Sequence, residues 1–560
     1  KLLGFKVDHS SPSSSRPADP SHTTFAMATS AKSGGELVGS VPGPALALEG
    51  GGLRALCVGA ALTAGLARVA SPNDEGVTLA ASGLYRKFAS LASVSGGSWF
   101  AASLIYSPRF LSLVEDMAAD PSFASAQWGR RWTTPWLAVT SEDSPFIKVF
   151  ADLAKDKGDV GLAQDLLLAG YFWQKGFTWT NWTLTLLETT AGIDMSCSLG
   201  SPVQEWARGK VWLACHSLAA PTTKAATPVY VYKHELPAAA IRQTIDGSLV
   251  LAQYIPASYS FVLGSDQSAA AVPYVARSAI PNDARWVYKG ARVGGCPFFF
   301  SRYTAKSAKV GDFDNLTSGA SSLPVVSCAA ASSAAVGDLI FKAGVSSLVD
   351  DVNGSLTVWQ GSGAGPAAFS EAEGLVVGLT SPASVSQKSV GQLAAASVNA
   401  AVDAGFTDTT GIAFAVAAGS TEIVAYLNYS TPDHLAHLFT GSYEIDGLTY
   451  DKNPLPVFEQ SASDTVSTYT AFPQLALSPD AKLLTAINVG TLTATTVSNA
   501  LWGLPAGVTV TLHIIGVSSS VTIGELQDVH DYDVLVQEVI ETVVSEGNSD
   551  LIQGTVLPWF

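Results

Sequence analysis

Two glycine-rich turns hold the residues best suited to chemistry. In LEGGGLRAL, Gly50, Gly51 and Gly52 stand between a short apolar stretch and a helix-like run. Successive backbone N–H groups in such a turn converge on one concavity, and the dipole of the following helix adds positive potential, so the turn suits an anion. Three chemistries use that property. A phosphate loop would end in Gly-Lys-Ser/Thr, which is absent here. A dinucleotide fingerprint is matched in form by Gly50-x-Gly52-x-x-Ala55, with Asp74 and Glu75 about twenty positions further on. An oxyanion hole is the third, its donors facing charge that develops on an attacked carbonyl. The motif alone leaves these open, beside a purely structural turn.

In ASVSGGSW an apolar stretch runs into Ser95, followed at once by Gly96, Gly97 and a helix-like segment. A nucleophilic serine needs a sharp strand-to-helix turn that lifts its hydroxyl above the sheet, and small flanking residues permit that turn. The flanking positions are Ser93 and Gly97, where the usual pattern has glycine at the first. His434 and His437 in PDHLAHLF have helical i, i+3 spacing, but no third ligand follows at a metal-site interval. The expectation for both is a surface helix.

Together the two glycine blocks resemble the patatin-like and cytosolic phospholipase A2 superfamily, and S-G-G-S-W is similar to its lysophospholipase (phospholipase B) branch. The resemblance is specific over about 60 residues around Gly51 and Ser95. It implies Gly51 and Gly52 as oxyanion donors, Ser95 as nucleophile and Arg54 as a cation for the lipid phosphate. A salt bridge within its own helix is the competing role for Arg54. The family's base is an aspartate in a D-G or D-S-G turn followed by Asn and Pro. EIDGLTYDKNPLPVF fits best, making Asp446 the base, with Asn453 and Pro454 after it; Asp246 in IDGSLVL lacks that continuation. ASSAA at residues 331–335 resembles a further family element between nucleophile and aspartate. The implied activity is acyl-ester hydrolysis of a phospholipid, lysophospholipid or galactolipid, with transient contact to a membrane or micelle surface. No cofactor, metal or calcium dependence is implied. A noncatalytic lipase-fold binding or assembly protein is the alternative, because Ser93 departs from the elbow pattern.

The elements that must position these residues read as an α/β fold. ALALEGGGLRALCVGAALTAGLARVA is strand, turn and helix, and FASLASVS followed by GSWFAASLIY repeats the unit. Two such units in succession call for a central, mainly parallel sheet flanked by helices. LPVVSCAAASSAA (323–335), IAFAVAAG and EIVAYLNYS read as further strands, and residues 482–524 as more of the same. Near the end of the chain Val536, Val539, Ile540 and Val543 make one face of a helix that Asp533 can cap and Gly547 can stop. Residues 1–40, rich in Ser, Pro, Thr and Gly, read as a tail, and residues 41–560 as the catalytic domain with insertions and a β-rich C-terminal part.

Composition bounds the partners. A formal net charge of −16 disfavours nucleic acid and strongly anionic membranes at long range. Hydrophobic residues are 47% and charged residues 14%, yet no uninterrupted apolar run reaches 18 residues, which reads as a soluble protein. Five cysteines without C-x-x-C spacing indicate neither zinc nor a disulfide framework. Sequons at Asn181, Asn315, Asn353 and Asn428 permit a secretory or extracellular setting.

Overall fold

The computed structural model describes residues 41, 43–71, 76–139, 179–222, 243–245, 248–264, 274–275, 284–285, 292–296, 300–303, 308–309, 324–333, 400–428, 433–445, 448–451, 456–460, 472–499, 502, 504–521 and 529–560. The N-terminal stretch read as a tail lies outside them.

Strand β1 (Ala45–Leu48) leads into helix α1 (Gly52–Ala70), and strand β2 (Ser90–Ser93) into helix α2 (Gly96–Tyr106). β1 and β2 pair in parallel with Leu48 opposite Ser93. β2 also pairs in parallel with the start of β3 (Val211–Thr222), and β1 with β6 (Glu422–Leu427). β6 pairs in parallel with β8 (Thr509–Ser519), whose other edge carries the antiparallel β7 (Leu484–Thr495). The centre of the sheet is thus parallel. At its far side β3 pairs antiparallel with β4 (Ser248–Val262) and with β5 (Ala400–Asp403).

Both faces of the sheet are covered, which is why its strands read as continuous apolar runs rather than alternating ones. Leu46 and Leu48 point into one core with α1 and α2, while Ala45 and Ala47 point into the other with Ile412–Ala417. α1 is long and apolar enough by composition to cross a membrane, but 83% of that window is buried inside the protein, so its apolarity serves the core.

Two expected strands are helices. Val325–Ser332 forms helix α3 and Ile412–Ala417 forms helix α4. Every residue of both is buried. A segment enclosed on all sides has no apolar period to separate the two conformations, and alanine tips a short run toward helix. The segment 422–427 is the strand that was expected.

The closing helix, α6 (His530–Val544), buries Val536, Val539, Ile540 and Val543 as its pattern requires and packs along α1. Asp533 does not cap it; it lies inside the first turn, where its carboxylate accepts the Thr133 hydroxyl. Glu538 faces the start of β7 and accepts the N–H groups of Lys482 (2.6 Å), Leu483 (2.9 Å) and Leu484 (2.6 Å). Glu538→Ala takes the acceptor from one buried and two part-buried donors. The expected loss of stability is roughly 3 kcal/mol, read as a lower urea midpoint at unchanged slope.

Candidate active site

Ser95 sits where β2 turns into α2, with φ 51° and ψ −123°. A left-handed φ is costly for a residue with a Cβ, so the surrounding turn has to impose it. The Gly97 N–H donates to the Val94 carbonyl at 2.8 Å, and the Ser98 N–H to the Ser95 carbonyl at 2.8 Å, which closes the turn tightly. Within residues 91–100 only Ser95 is half-buried; the others are buried. This is a serine held up out of a closed core.

The glycine turn lies directly against this elbow. A Cβ on Gly50 would stand 2.9 Å from the Ser95 Cβ, and one on Gly96 would stand 2.0 Å from the Gly52 carbonyl oxygen. Gly97 is equally enclosed, since its Cβ would meet the Leu48 and Glu49 carbonyl oxygens at 2.6 Å. The parallel register of β1 and β2 delivers both turns to the same end of the sheet, and the absence of side chains lets them touch.

Ser93, the departure from the usual elbow, is taken up by hydrogen bonds. Its buried hydroxyl pairs with Ser98 Oγ at 2.8 Å and accepts the Trp212 indole N–H at 2.9 Å. Ser98 Oγ pairs in turn with Ser332 Oγ at 2.7 Å, and that oxygen accepts the Ser95 N–H at 3.0 Å. The described part of ASSAA does reach the elbow, but as the end of α3, with Ser332 on the Ser95 backbone and Ser333 accepting the Trp99 indole at 2.9 Å.

Gly51 has φ 133° and Gly52 φ 57°, and α1 begins at Gly52. The Gly50 N–H donates to the Thr409 carbonyl at 3.0 Å, whereas the Gly51 and Gly52 N–H groups have no acceptor among the described residues. They stand at the positive end of a 19-residue helix. Beside them lies Glu49, whose pKa burial pushes well above the usual carboxylate range, opposed by the Asn428 N–H and by the Arg54 charge. Burial thus disfavours the charged form of Glu49 beside the turn.

Arg54 points inward. It is 3% exposed, and its Nη1 donates to the Val521 carbonyl at 2.9 Å. A cation for a lipid phosphate belongs at the mouth of the site; this one ties α1 to the chain that follows β8.

Asp446, Gly447, Asn453 and Pro454 lie outside the described residues, between and beyond the paired strands Ser442–Ile445 and Leu448–Asp451. The sheet brings a different aspartate to the elbow. β2 pairs with β3 up to Ala214, and β5 pairs with β3 from Ala219 down to His216, which stands opposite Asp403. β4 occupies the whole of β3's other edge, so β2 and β5 share one edge and run toward each other. Their ends, Ser93 and Asp403, are two strand residues apart, about 7 Å. Asp403 is buried and accepts the Gly405 N–H at 2.7 Å. The Ser95 hydroxyl has no hydrogen-bond partner among the described residues, so Asp403 does not hold it in this conformation. His216, beside Asp403, has its pKa lowered by burial to about 4 and is uncharged at neutral pH. The signal for Asp403 was AAVDAG, an apolar run ending in D-A-G, one atom short of D-S-G.

His437 is buried rather than on a surface helix. Its Nε2 lies 3.3 Å from Asp408 Oδ1. Asp408 also accepts the Thr410 N–H (2.9 Å) and hydroxyl (2.7 Å) and the Ala413 N–H (2.9 Å), which fastens the loop carrying Thr409. Among the described residues no cluster of His, Cys, Asp or Glu is disposed to hold a metal ion.

No protein-family model matches the chain, and no curated protein matches it. Among solved structures it is similar to human GIVD cytosolic phospholipase A2, at 12% identity and a TM-score of 0.35, over 93% of this chain and 62% of that one. The chain spans less than two thirds of that protein's length.

Two outcomes test this geometry. Ser95→Gly removes the left-handed penalty at φ 51° whereas Ser95→Ala keeps it, so the glycine variant is expected to be the more stable by about 1 kcal/mol in denaturant melts. Burial raises the Asp408 pKa, but the His437 and Thr410 contacts outweigh it and leave it lowered. Its stabilising contribution is therefore complete above the unfolded carboxylate pKa of about 3.9 and is lost as pH falls below that. Asp408→Asn should lower stability at neutral pH and flatten the fall in melting temperature below about pH 4.

Proposed function

We propose that the chain is a serine esterase acting on the acyl esters of lipids. The observation that carries the reading is the van der Waals contact between a strained, half-exposed Ser95 and a glycine turn with two uncommitted N–H groups at a helix N-terminus. A strained serine with donors beside it serves no evident packing purpose, while both parts are needed for acyl transfer. The lipid substrate rests on the resemblance of the two motifs to the phospholipase superfamily, and the lysophospholipase subtype is a finer part of the same proposal.

In this mechanism Ser95 Oγ attacks the ester carbonyl while its proton passes to a carboxylate. The carbonyl oxygen takes the negative charge and is held by the Gly51 and Gly52 N–H groups. Collapse breaks the bond to the alcohol, which leaves with that proton, and the same carboxylate then draws a proton from water for deacylation. Strand register favours Asp403 as this carboxylate, because β5 delivers it to the elbow; Asp446 is the rival from the sequence pattern.

A fluorophosphonate probe should label the protein, and Ser95→Ala should abolish both labelling and turnover. Asp403→Asn is expected to slow turnover about 10²-fold or more, with Asp446→Asn close to wild type. The reverse ranking would return the base to Asp446. Wild-type protein that fails to label beside a reactive control lipase would favour the noncatalytic alternative.

A further inference from the structure

Asn428 was singled out in the sequence as a sequon, but the structure gives its side chain another use. It follows the end of β6, is 3% exposed, and its Nδ2 donates to the Gly50 carbonyl at 2.6 Å. The acceptor is a carbonyl, so the amide can face it only through its NH₂ group. A buried amide nitrogen in this bond is not available to carry a glycan.

The peptide that receives this bond matters. A trans peptide is planar, so the Gly50 carbonyl and the Gly51 N–H point in opposite directions from one rigid unit. Fixing the carbonyl therefore fixes the direction of the N–H. Without a side chain and at φ 133°, Gly51 has no steric preference of its own to do this. The neighbours on either side are already pinned: Gly50 lies against the Ser95 Cβ and gives its N–H to Thr409, and Gly52 lies against Gly96. The remaining freedom is rotation of the peptide between Gly50 and Gly51, and Asn428 is the side chain bonded to it. Asn428 is itself anchored, since its backbone N–H donates to the Glu49 carboxyl.

We propose that Asn428 is a positioning residue for the reaction, orienting the Gly51 N–H toward the oxyanion through the Gly50 carbonyl. The inference rests on the reading of Gly51 as an oxyanion donor. It predicts an effect confined to the transition state, because a ground-state ester carbonyl gains little from a donor aimed at the tetrahedral oxygen.

The test uses Asn428→Ala, which removes the donor, and Asn428→Asp, which keeps the shape but puts an acceptor against the Gly50 carbonyl. For each, kcat and KM are measured on a p-nitrophenyl ester, along with the affinity for a trifluoromethyl ketone of the same acyl length. That ketone forms a tetrahedral adduct with the serine and so reports oxyanion binding. Folding is checked by thermal melting. The expected result is a fall in kcat of about 10²-fold with KM changed by less than about threefold, and a matching fall in ketone affinity. A role in stability alone would lower the melting temperature and leave both the kcat and the ketone affinity of the folded fraction as in wild type, which overturns the proposal. So does a loss appearing only in KM. If Asn428→Ala does not fold, Asn428→Asp decides, with the same two outcomes. Wild-type protein that reacts with a fluorophosphonate, beside an Asn428→Asp variant equal to it in both measurements, refutes this inference alone; an unreactive wild type refutes the esterase reading beneath it.

Discussion

The two strands β1 and β2 lie side by side in parallel with Leu48 opposite Ser93, and the chain leaves both at the same end of the sheet. Neighbouring strands are about 4.8 Å apart, so the two turns that follow must occupy almost the same space. Only backbone fits there, as the 2.0 Å and 2.6 Å approaches at Gly96 and Gly97 show. Most of the site follows from that crowding. The elbow is forced into a left-handed conformation, the serine is pushed outward, and the N-terminus of α1 is pressed against it.

The electrostatics around the turn are arranged in the same economical way. Burial raises the pKa of Glu49, the acidic side chain beside the turn, and the carboxylate of Asp408 is engaged by His437, Thr410 and Ala413. Burial weighs against negative charge on Glu49, and that of Asp408 is already engaged. The positive end of α1 stands at the same turn.

How much of this is legible in sequence depends on the range of the interactions involved. The glycine turn and the serine elbow are each written in fewer than ten consecutive residues, and their local chemistry can be read directly. The α/β class follows from repetition of the strand-turn-helix unit. Helices α3 and α4 were misread because a fully enclosed segment carries no periodic signature. Asp403 was passed over for a different reason: D-A-G at the end of an apolar run is a weak local signal, and its place near the elbow is set by two strands meeting on one edge of β3. Ser93 was readable only as a departure, since the partners that accommodate it, Trp212, Ser98 and Ser332, are brought there by β3, α2 and α3.

The shared edge of β3 has a consequence for how such a chain can change over generations. The backbone leaves β3 after Thr222 and returns to the same strand on β5 at Ala400, with its two ends fixed by ladder hydrogen bonds. The entropy of closing a flexible excursion rises only with the logarithm of its length, about 0.6 kcal/mol for each doubling. Length changes in the connections that carry neither β4 nor α3 can therefore be absorbed between those two points, while the spacing of Ser93 and Asp403 stays set by the ladder. What the ladder and α3 hold in place keeps its dimensions, whatever lengths those connections take.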